Sequence, residues 1–241
     1  MKKNILIVIG IIIGFVIFSY LVYVINNQSK IQILMYHRVI NDGDHYSVEI
    51  KEFEKQMKYL HDSGFTPIFL SEIDNYNDYK KPIIITFDDG WKDVYDNAYP
   101  ILKKYNFKFN IFLITSLLNK DLYMTDDIVK ELSKSDLVEI GSHTVSHNYL
   151  SSLSIDSQKE ELSDSKNIIE ELIERKVNTC AYPYGDYNDD TIEVVKDYYD
   201  YCVTTNRSFN SKDTNKLILN RYNIPKKNSL FVFKIKVNKL Y

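Results

Sequence analysis

Ile83-Ile84-Ile85 is an apolar run without polar alternation, and it leads directly into Thr86-Phe87-Asp88-Asp89-Gly90. A strand with no polar face suits a position covered on both sides, as in a parallel sheet beneath helices. The adjacent carboxylates Asp88 and Asp89 fall where that strand should end, and Gly90 frees the backbone to turn. Parallel α/β folds place their chemistry at the carboxyl ends of strands. Neighbouring residues of an extended segment point in different directions, so the two carboxylates need not share a task. One could bind a metal while the other takes a proton. The competing interpretation of the same residues is an ordinary surface Asp-Asp-Gly turn.

A second stretch shifts that balance. Gly141-Ser142-His143-Thr144-Val145-Ser146-His147 follows the short apolar run Leu137-Val138-Glu139-Ile140. Two His four residues apart fall on one face of a helical turn, so both rings can reach one cation. Two His and one Asp leave coordination positions open for water or substrate, which marks a catalytic rather than a structural site.

The order Thr86–Gly90, His143–His147 and Ala181-Tyr182-Pro183-Tyr184-Gly185, opened by Met35-Tyr36-His37-Arg38-Val39, resembles the polysaccharide deacetylase family. This is the NodB-homology, or carbohydrate esterase 4, family. The resemblance covers roughly residues 31–225. It implies an α/β fold, a distorted (β/α)7-type barrel with its site at the mouth formed by the strand C-termini. It also implies a hydrolase that removes N-acetyl groups from a polysaccharide. By the same resemblance Asp89, His143 and His147 hold a divalent metal, with Zn²⁺ favoured, and Asp88 is the general base. Tyr184 offers its backbone N–H to the oxyanion, and Pro183 and Gly185 shape that loop around the substrate.

The chain departs from the common family pattern in two places. Ala181 stands where an Arg usually orients the base, and Arg221 is the candidate substitute, an ordinary surface Arg being the alternative. The usual late His that serves as general acid is missing, since no His follows His147. His37, at the end of the first expected strand, is the candidate acid, against a structural His bonded to a loop. A late Arg in place of a late His resembles the membrane-associated poly-N-acetylglucosamine deacetylases, which implies poly-β-1,6-N-acetylglucosamine as substrate. Peptidoglycan is the competing polymer. A non-catalytic surface carbohydrate-binding protein is the rival of another class. A non-haem Fe(II) oxygenase would also use two His and a carboxylate, but strand–helix alternation disfavours it.

The pattern of strands alternating with helices argues for a parallel α/β architecture. Strands are expected at 31–36, 65–70, 83–87, 107–114, 137–140, 177–182, 201–205 and 217–224. Helices are expected at 48–63 with Gly64 as C-cap, at 91–105 with a break at Pro100, and at 126–132, 155–175 and 190–198. Ser71 is expected to cap a short helix. Residues 229–240 are expected to close the fold as a helix, a strand being the alternative that their Phe and Val content leaves open. The helix at 155–175 carries an apolar stripe of Leu162, Ile168, Ile169, Leu172 and Ile173, and its charge run reads as a solvated face.

Residues 5–25 are almost wholly apolar and uncharged, the length of one bilayer-spanning helix. Lys2 and Lys3 precede them, which places residues 1–4 in the cytoplasm. The segment lacks a small-x-small cleavage site, so an uncleaved signal anchor is favoured over a cleaved signal peptide. Residues 26–30 are then a spacer, and residues 31–241 form one catalytic domain at the cell membrane, facing outward and expected to be monomeric. Net charge is −3 with no basic stripe, which argues against a nucleic-acid partner. Cys180 and Cys202 each fall in an expected strand and read as buried free thiols, or as a disulfide if the domain is exported.

Overall fold

In the computed structural model, which describes residues 2–28, 30–225 and 229–238, helix α1 (Lys2–Gln28) leads into strand β1 (Lys30–Tyr36). Two short strands, β2 (Arg38–Val39) and β3 (Ser47–Val48), pair with one another before α2 (Ile50–Asp62). Strands and helices then alternate through β4 (Thr66–Ile68), β5 (Pro82–Phe87), α3 (Tyr99–Lys104), β6 (Phe109–Leu113) and α4 (Asp126–Ser133). They continue through β7 (Val138–Ser142), α5 (Ile155–Ile173), β8 (Thr179–Ala181), α6 (Asp189–Val195) and β9 (Tyr201–Val203). Short strands β10 (Asn210–Ser211) and β11 (Tyr222–Asn223) and helix α7 (Leu230–Val237) end the described chain.

The main sheet runs β10-β1-β5-β6-β7-β8-β9 and is parallel from β1 to β9; β4 also pairs with β5. β10 pairs antiparallel with β1. The result is an α/β half-barrel. The segment 217–224 spans between its ends: Leu219 bridges Val203 of β9, and Tyr222–Asn223 pair in parallel with Leu34–Met35 of β1. The expected last strand over 217–224 is therefore reduced to a bridge and a two-residue strand.

The missing polar alternation in β5 has a direct cause. Ile83, Ile85 and Phe87 pack into the larger core, which includes Phe53 and Met57 of α2 and Leu102 of α3. Ile84 packs into a second core with Ile31, Ile33, Phe112 and Val203. Both faces of the strand are thus apolar environments, and all six of its residues are buried. Continuing the two-residue period past Ile84 and Thr86 directs Asp88 to the same side as the second core.

Some local expectations are met, with detail the pattern did not show, and others are corrected. Pro100 breaks the helix after Trp91 by widening it: residues 94–98 form a π turn, with the Tyr99 N–H donating to the Val94 carbonyl. Proline clashes with the carbonyl four residues back and has no N–H, and a wider turn relieves the clash before Pro100 enters the first turn of α3. Ser71 caps nothing; its hydroxyl donates to Glu139, while Glu72 reaches back to the Phe69 N–H at 2.8 Å. Ile168 of α5 is 42% exposed, although Leu162 and Ile169 are buried as expected. Gly64 does sit past the end of α2 with φ 72°. Residues 230–237 are helical, not extended.

The membrane span expected over 5–25 rests in part on residues whose side chains lie outside the described set. Among the described residues no helix is long and apolar enough to cross a membrane. Residues 9–22 of α1 are helical and exposed.

Cys180 and Cys202 are register partners in β8 and β9, with Cα atoms 4.5 Å apart, and they form a disulfide. The expectation of free thiols is replaced. Closing a loop over a sequence separation of 22 residues restricts the unfolded chain by about 3 kcal/mol. Reduction with dithiothreitol is therefore expected to lower unfolding stability by about that amount, as measured by urea denaturation with and without the reductant.

Candidate active site

Six strand ends meet at one cavity of about 550 Å³. His37 follows β1, Asp88 and Asp89 follow β5, His143 follows β7, Tyr182 and Tyr184 follow β8, and Thr205 follows β9. Asn223 comes from β11. The two acidic residues are adjacent in sequence but have different surroundings.

Asp88 is buried and faces Arg221, which has no exposed surface. Arg221 Nη1 donates to Asp88 Oδ1 at 2.6 Å and Nη2 to Oδ2 at 2.7 Å, a bidentate pair. Two further guanidinium donors are used: Nε donates to the Thr204 carbonyl at 2.9 Å and Nη1 to Thr86 Oγ1 at 3.1 Å. Burial alone would push the Asp88 carboxyl up. The Arg221 guanidinium outweighs burial and holds the carboxyl well below the usual carboxylate range. Asp88 is therefore ionised across the physiological range. Arg221 lies in this way where the sequence suggested a stand-in for the residue replaced by Ala181.

Asp89 has φ 74°, a left-handed conformation that a non-glycine residue adopts only under constraint. The following Gly90 has φ 81°, and a Cβ there would approach Leu113 Cδ2 to 2.9 Å. This turn swings Asp89 away from Arg221. Its Oδ2 accepts from Trp91 Nε1–H at 2.9 Å. Its Oδ1 lies 3.5 Å from His143 Nε2 and 3.7 Å from His147 Nε2.

The His-x-x-x-His stretch is a loop and not the expected helical turn. Thr144 (φ 66°) and His147 (φ 58°) are left-handed. Their own N–H groups are taken by side chains instead of helical carbonyls: Thr144 donates to Ser142 Oγ, and His147 to Thr144 Oγ1, each at 3.1 Å. Val145 and Ser146 both donate to Glu161 Oε2 of α5, at 2.9 and 2.8 Å. Glu161 belongs to the charge run read as a solvated face, yet it pins this loop. The two rings still converge, with centroids 4.7 Å apart.

His143 Nδ1–H donates to the Ala181 carbonyl at 2.7 Å, which leaves Nε2 as the nitrogen with a lone pair facing Asp89. Burial, reinforced by His143, pushes His147 down to about 4, so its ring is neutral. The ligand atoms of Asp89, His143 and His147 all lie within 4.8 Å of one another. Asp89 Oδ1 is buried and, among the described residues, has no hydrogen-bond partner. An orphaned carboxylate oxygen facing two imidazole lone pairs is the donor set that a divalent cation satisfies.

His37 also lines the cavity, its ring 5.2 Å from that of Tyr46. Tyr184 has φ 58°, and Pro183 before it is buried. A Cβ at Gly185 would come within 2.2 Å of Thr205 Oγ1, so that position admits only glycine. Trp91 was not singled out from the sequence although it follows Gly90 directly. Its role emerges only when the turn places its indole N–H on Asp89.

The polysaccharide deacetylase family profile matches residues 75–200. YxkH of Bacillus subtilis (strain 168) is 36% identical over 202 residues, covering 81% of this chain and 72% of that protein. The poly-beta-1,6-N-acetyl-D-glucosamine N-deacetylase of Staphylococcus aureus (strain MSSA476) is 34% identical over 168 residues, covering 63% of this chain. That match spans 58% of the relative, less than two thirds of its length. Among solved structures, Streptococcus pyogenes deacetylase PplD, in complex with acetate, is 31% identical with a TM-score of 0.81. The superposition covers 87% of this chain and 98% of PplD. A polysaccharide deacetylase from Bacillus cereus has a TM-score of 0.82 at 27% identity, covering 87% of this chain and 69% of that one.

Removing Arg221 strands a buried carboxylate. Arg221→Ala is expected to destabilise the fold by about 3–5 kcal/mol, measured by chemical denaturation. Arg221→Lys is expected to recover only part of this, because an ammonium cannot supply the forked donors.

Proposed function

Because the chain belongs to the polysaccharide deacetylase family, and is a hydrolase of that family, we propose that it de-N-acetylates poly-β-1,6-N-acetylglucosamine at the outer face of the cell membrane. The observation that carries the chemistry is the placement of an ionised Asp88 beside the Asp89–His143–His147 cluster in one cavity. The choice of polymer draws on the Staphylococcus aureus relative, whose name states that substrate. It also draws on Arg221, which supplies the base-orienting role in a chain with Ala181 at the usual Arg position.

Asp89, His143 and His147 would hold the cation, with Zn²⁺ favoured. A cation held there would supply Lewis acidity toward the amide carbonyl and the attacking water. Asp88 accepts the proton of that water. Arg221 lowers its basicity but fixes both carboxylate oxygens in place, and an acidified water needs only a weak base. The Tyr184 N–H stabilises charge developing on the carbonyl oxygen, on a loop shaped by Pro183 and Gly185. His37 gives a proton to the departing amine. The C–N bond breaks, a C–O bond to the water oxygen forms, and acetate and a free amine result. Each reaction exposes an amine that makes the polymer more cationic.

Location is part of the proposal. The apolar run 5–25 preceded by Lys2 and Lys3 supports a single-pass anchor with the enzyme outside. The disulfide between Cys180 and Cys202 fits an oxidising compartment.

The test is acetate release by the metal-loaded full chain in detergent, with poly-β-1,6-N-acetylglucosamine and peptidoglycan offered separately. Release from the former, at a rate at least tenfold above peptidoglycan, is expected; release from peptidoglycan alone reassigns the enzyme to the cell wall. Asp88→Asn and His37→Ala are each expected to lower kcat by about 10²–10⁴. Near-full turnover in either variant removes that residue from its role.

A further inference from the structure

Three tyrosines, Tyr46, Tyr149 and Tyr184, are left half in solvent at or beside the cavity, and the last two form a pair. Tyr149 is 52% exposed and Tyr184 53%. Their rings are stacked, with centroids 4.1 Å apart and planes 10° from parallel. Tyr184 lines the cavity, and its ring is also 4.5 Å from that of His147. Tyr149 continues the aromatic surface outward from that wall.

The pair is held in place. Tyr184 keeps its left-handed backbone because Thr205 Oγ1 donates to its carbonyl at 3.2 Å and Gly185 N–H donates to Tyr182 at 2.9 Å. The loop carrying Tyr149 is fastened to the loop carrying Tyr184: Ser151 N–H and Oγ–H both donate to Asp186, at 2.8 and 2.9 Å. Two loops from different strand ends are thus locked so that their tyrosines stack next to the metal-ligand cluster. Exposed apolar surface held rigid beside a site marks a binding surface.

The other aromatic groups at the mouth differ: Tyr46 has the His37 and His45 rings against it, each with its centre 5.2 Å away. Trp91 already carries Tyr123 stacked at 4.3 Å and the Arg38 guanidinium 4.5 Å from its ring centre, and its N–H is committed to Asp89. It is filled by its own neighbours. Tyr149 is half exposed and, among the described residues, stacks on no ring but that of Tyr184.

We propose that the stacked Tyr149–Tyr184 pair is a sugar-ring platform that binds the residue of the polymer next to the one being deacetylated. The apolar C–H face of a pyranose packs on an aromatic plane, while its hydroxyls stay hydrated, and a tyrosine adds a hydroxyl at the rim. The platform favours a polymer over a single sugar because it lies beyond the reacting unit. This inference rests on the deacetylase reading above for the identity of the substrate.

The experiment compares the metal-loaded full chain with Tyr149→Ala and Tyr149→Trp on poly-β-1,6-N-acetylglucosamine. Tyr149→Ala is expected to raise KM about five- to tenfold with kcat within about twofold, and Tyr149→Trp to restore KM. An unchanged KM in Tyr149→Ala, or a loss confined to kcat, overturns the platform. If the wild-type chain releases no acetate from this polymer, the deacetylation reading fails by itself. The platform is then decided by retardation in native gels containing the same polymer. Retention of the wild type but not of Tyr149→Ala supports it, and equal mobility overturns it. Metal content and circular dichroism of each variant establish that the fold is kept.

Discussion

The pair between Arg221 and Asp88 ties the chemistry to the closure of the fold. Arg221 lies between Leu219, which bridges β9, and Tyr222, which pairs with β1. Asp88 ends the central strand β5. The two meet only if the sheet curls enough for segment 217–224 to span its ends. Two buried charges are tolerated because Arg221 donates to both Asp88 oxygens, to Thr86 and to Thr204. A shift of the segment would separate the charges and leave a buried carboxylate without its counter-ion. Folding and orientation of the base are thereby one constraint.

The division of labour between adjacent carboxylates follows from the backbone. β5 ends with Asp88 on the side of the second core, and the left-handed turn at Asp89 redirects the next side chain towards the His pair. Thr144, His147 and Tyr184 share the same unusual backbone region, and all belong to the loops around the cavity. Strain of this kind, of order 1–3 kcal/mol per residue, persists only where surroundings over-determine it. The surroundings here are visible: Leu113 beside Gly90, Thr205 beside Gly185, and Glu161 holding two N–H groups of the His loop.

Much of the sheet was legible because its strands are covered on both faces and so read as unbroken apolar runs. The His pair was legible because His is rare in this chain and two lie four apart after an expected strand, while Asp89 as the third ligand came from the family resemblance. What stayed hidden depended on contacts between distant residues. Arg221 could be named only as a candidate, through the family resemblance, because the bidentate pair joins positions 133 residues apart and no local pattern separates such an Arg from a surface one. Glu161 looked like one charge among several on an amphipathic helix, since periodicity does not reveal which acid meets a loop. Conversely, a four-residue His spacing suggested a helical turn, but hydroxyls at Ser142 and Thr144 offered the backbone nearer partners than a helix would. The short strands β10 and β11 carry too few residues to show any period.

The central claim is that Asp88 and Asp89, though adjacent, serve different partners. Metal content of the purified full chain after Zn²⁺ loading and dialysis, measured by inductively coupled plasma mass spectrometry, tests it most directly. Wild type and Asp88→Asn should each retain one equivalent, and Asp89→Asn should retain roughly a tenth or less, consistent with loss of a ligand from a three-residue site. Loss of metal from Asp88→Asn together with retention by Asp89→Asn would contradict the account.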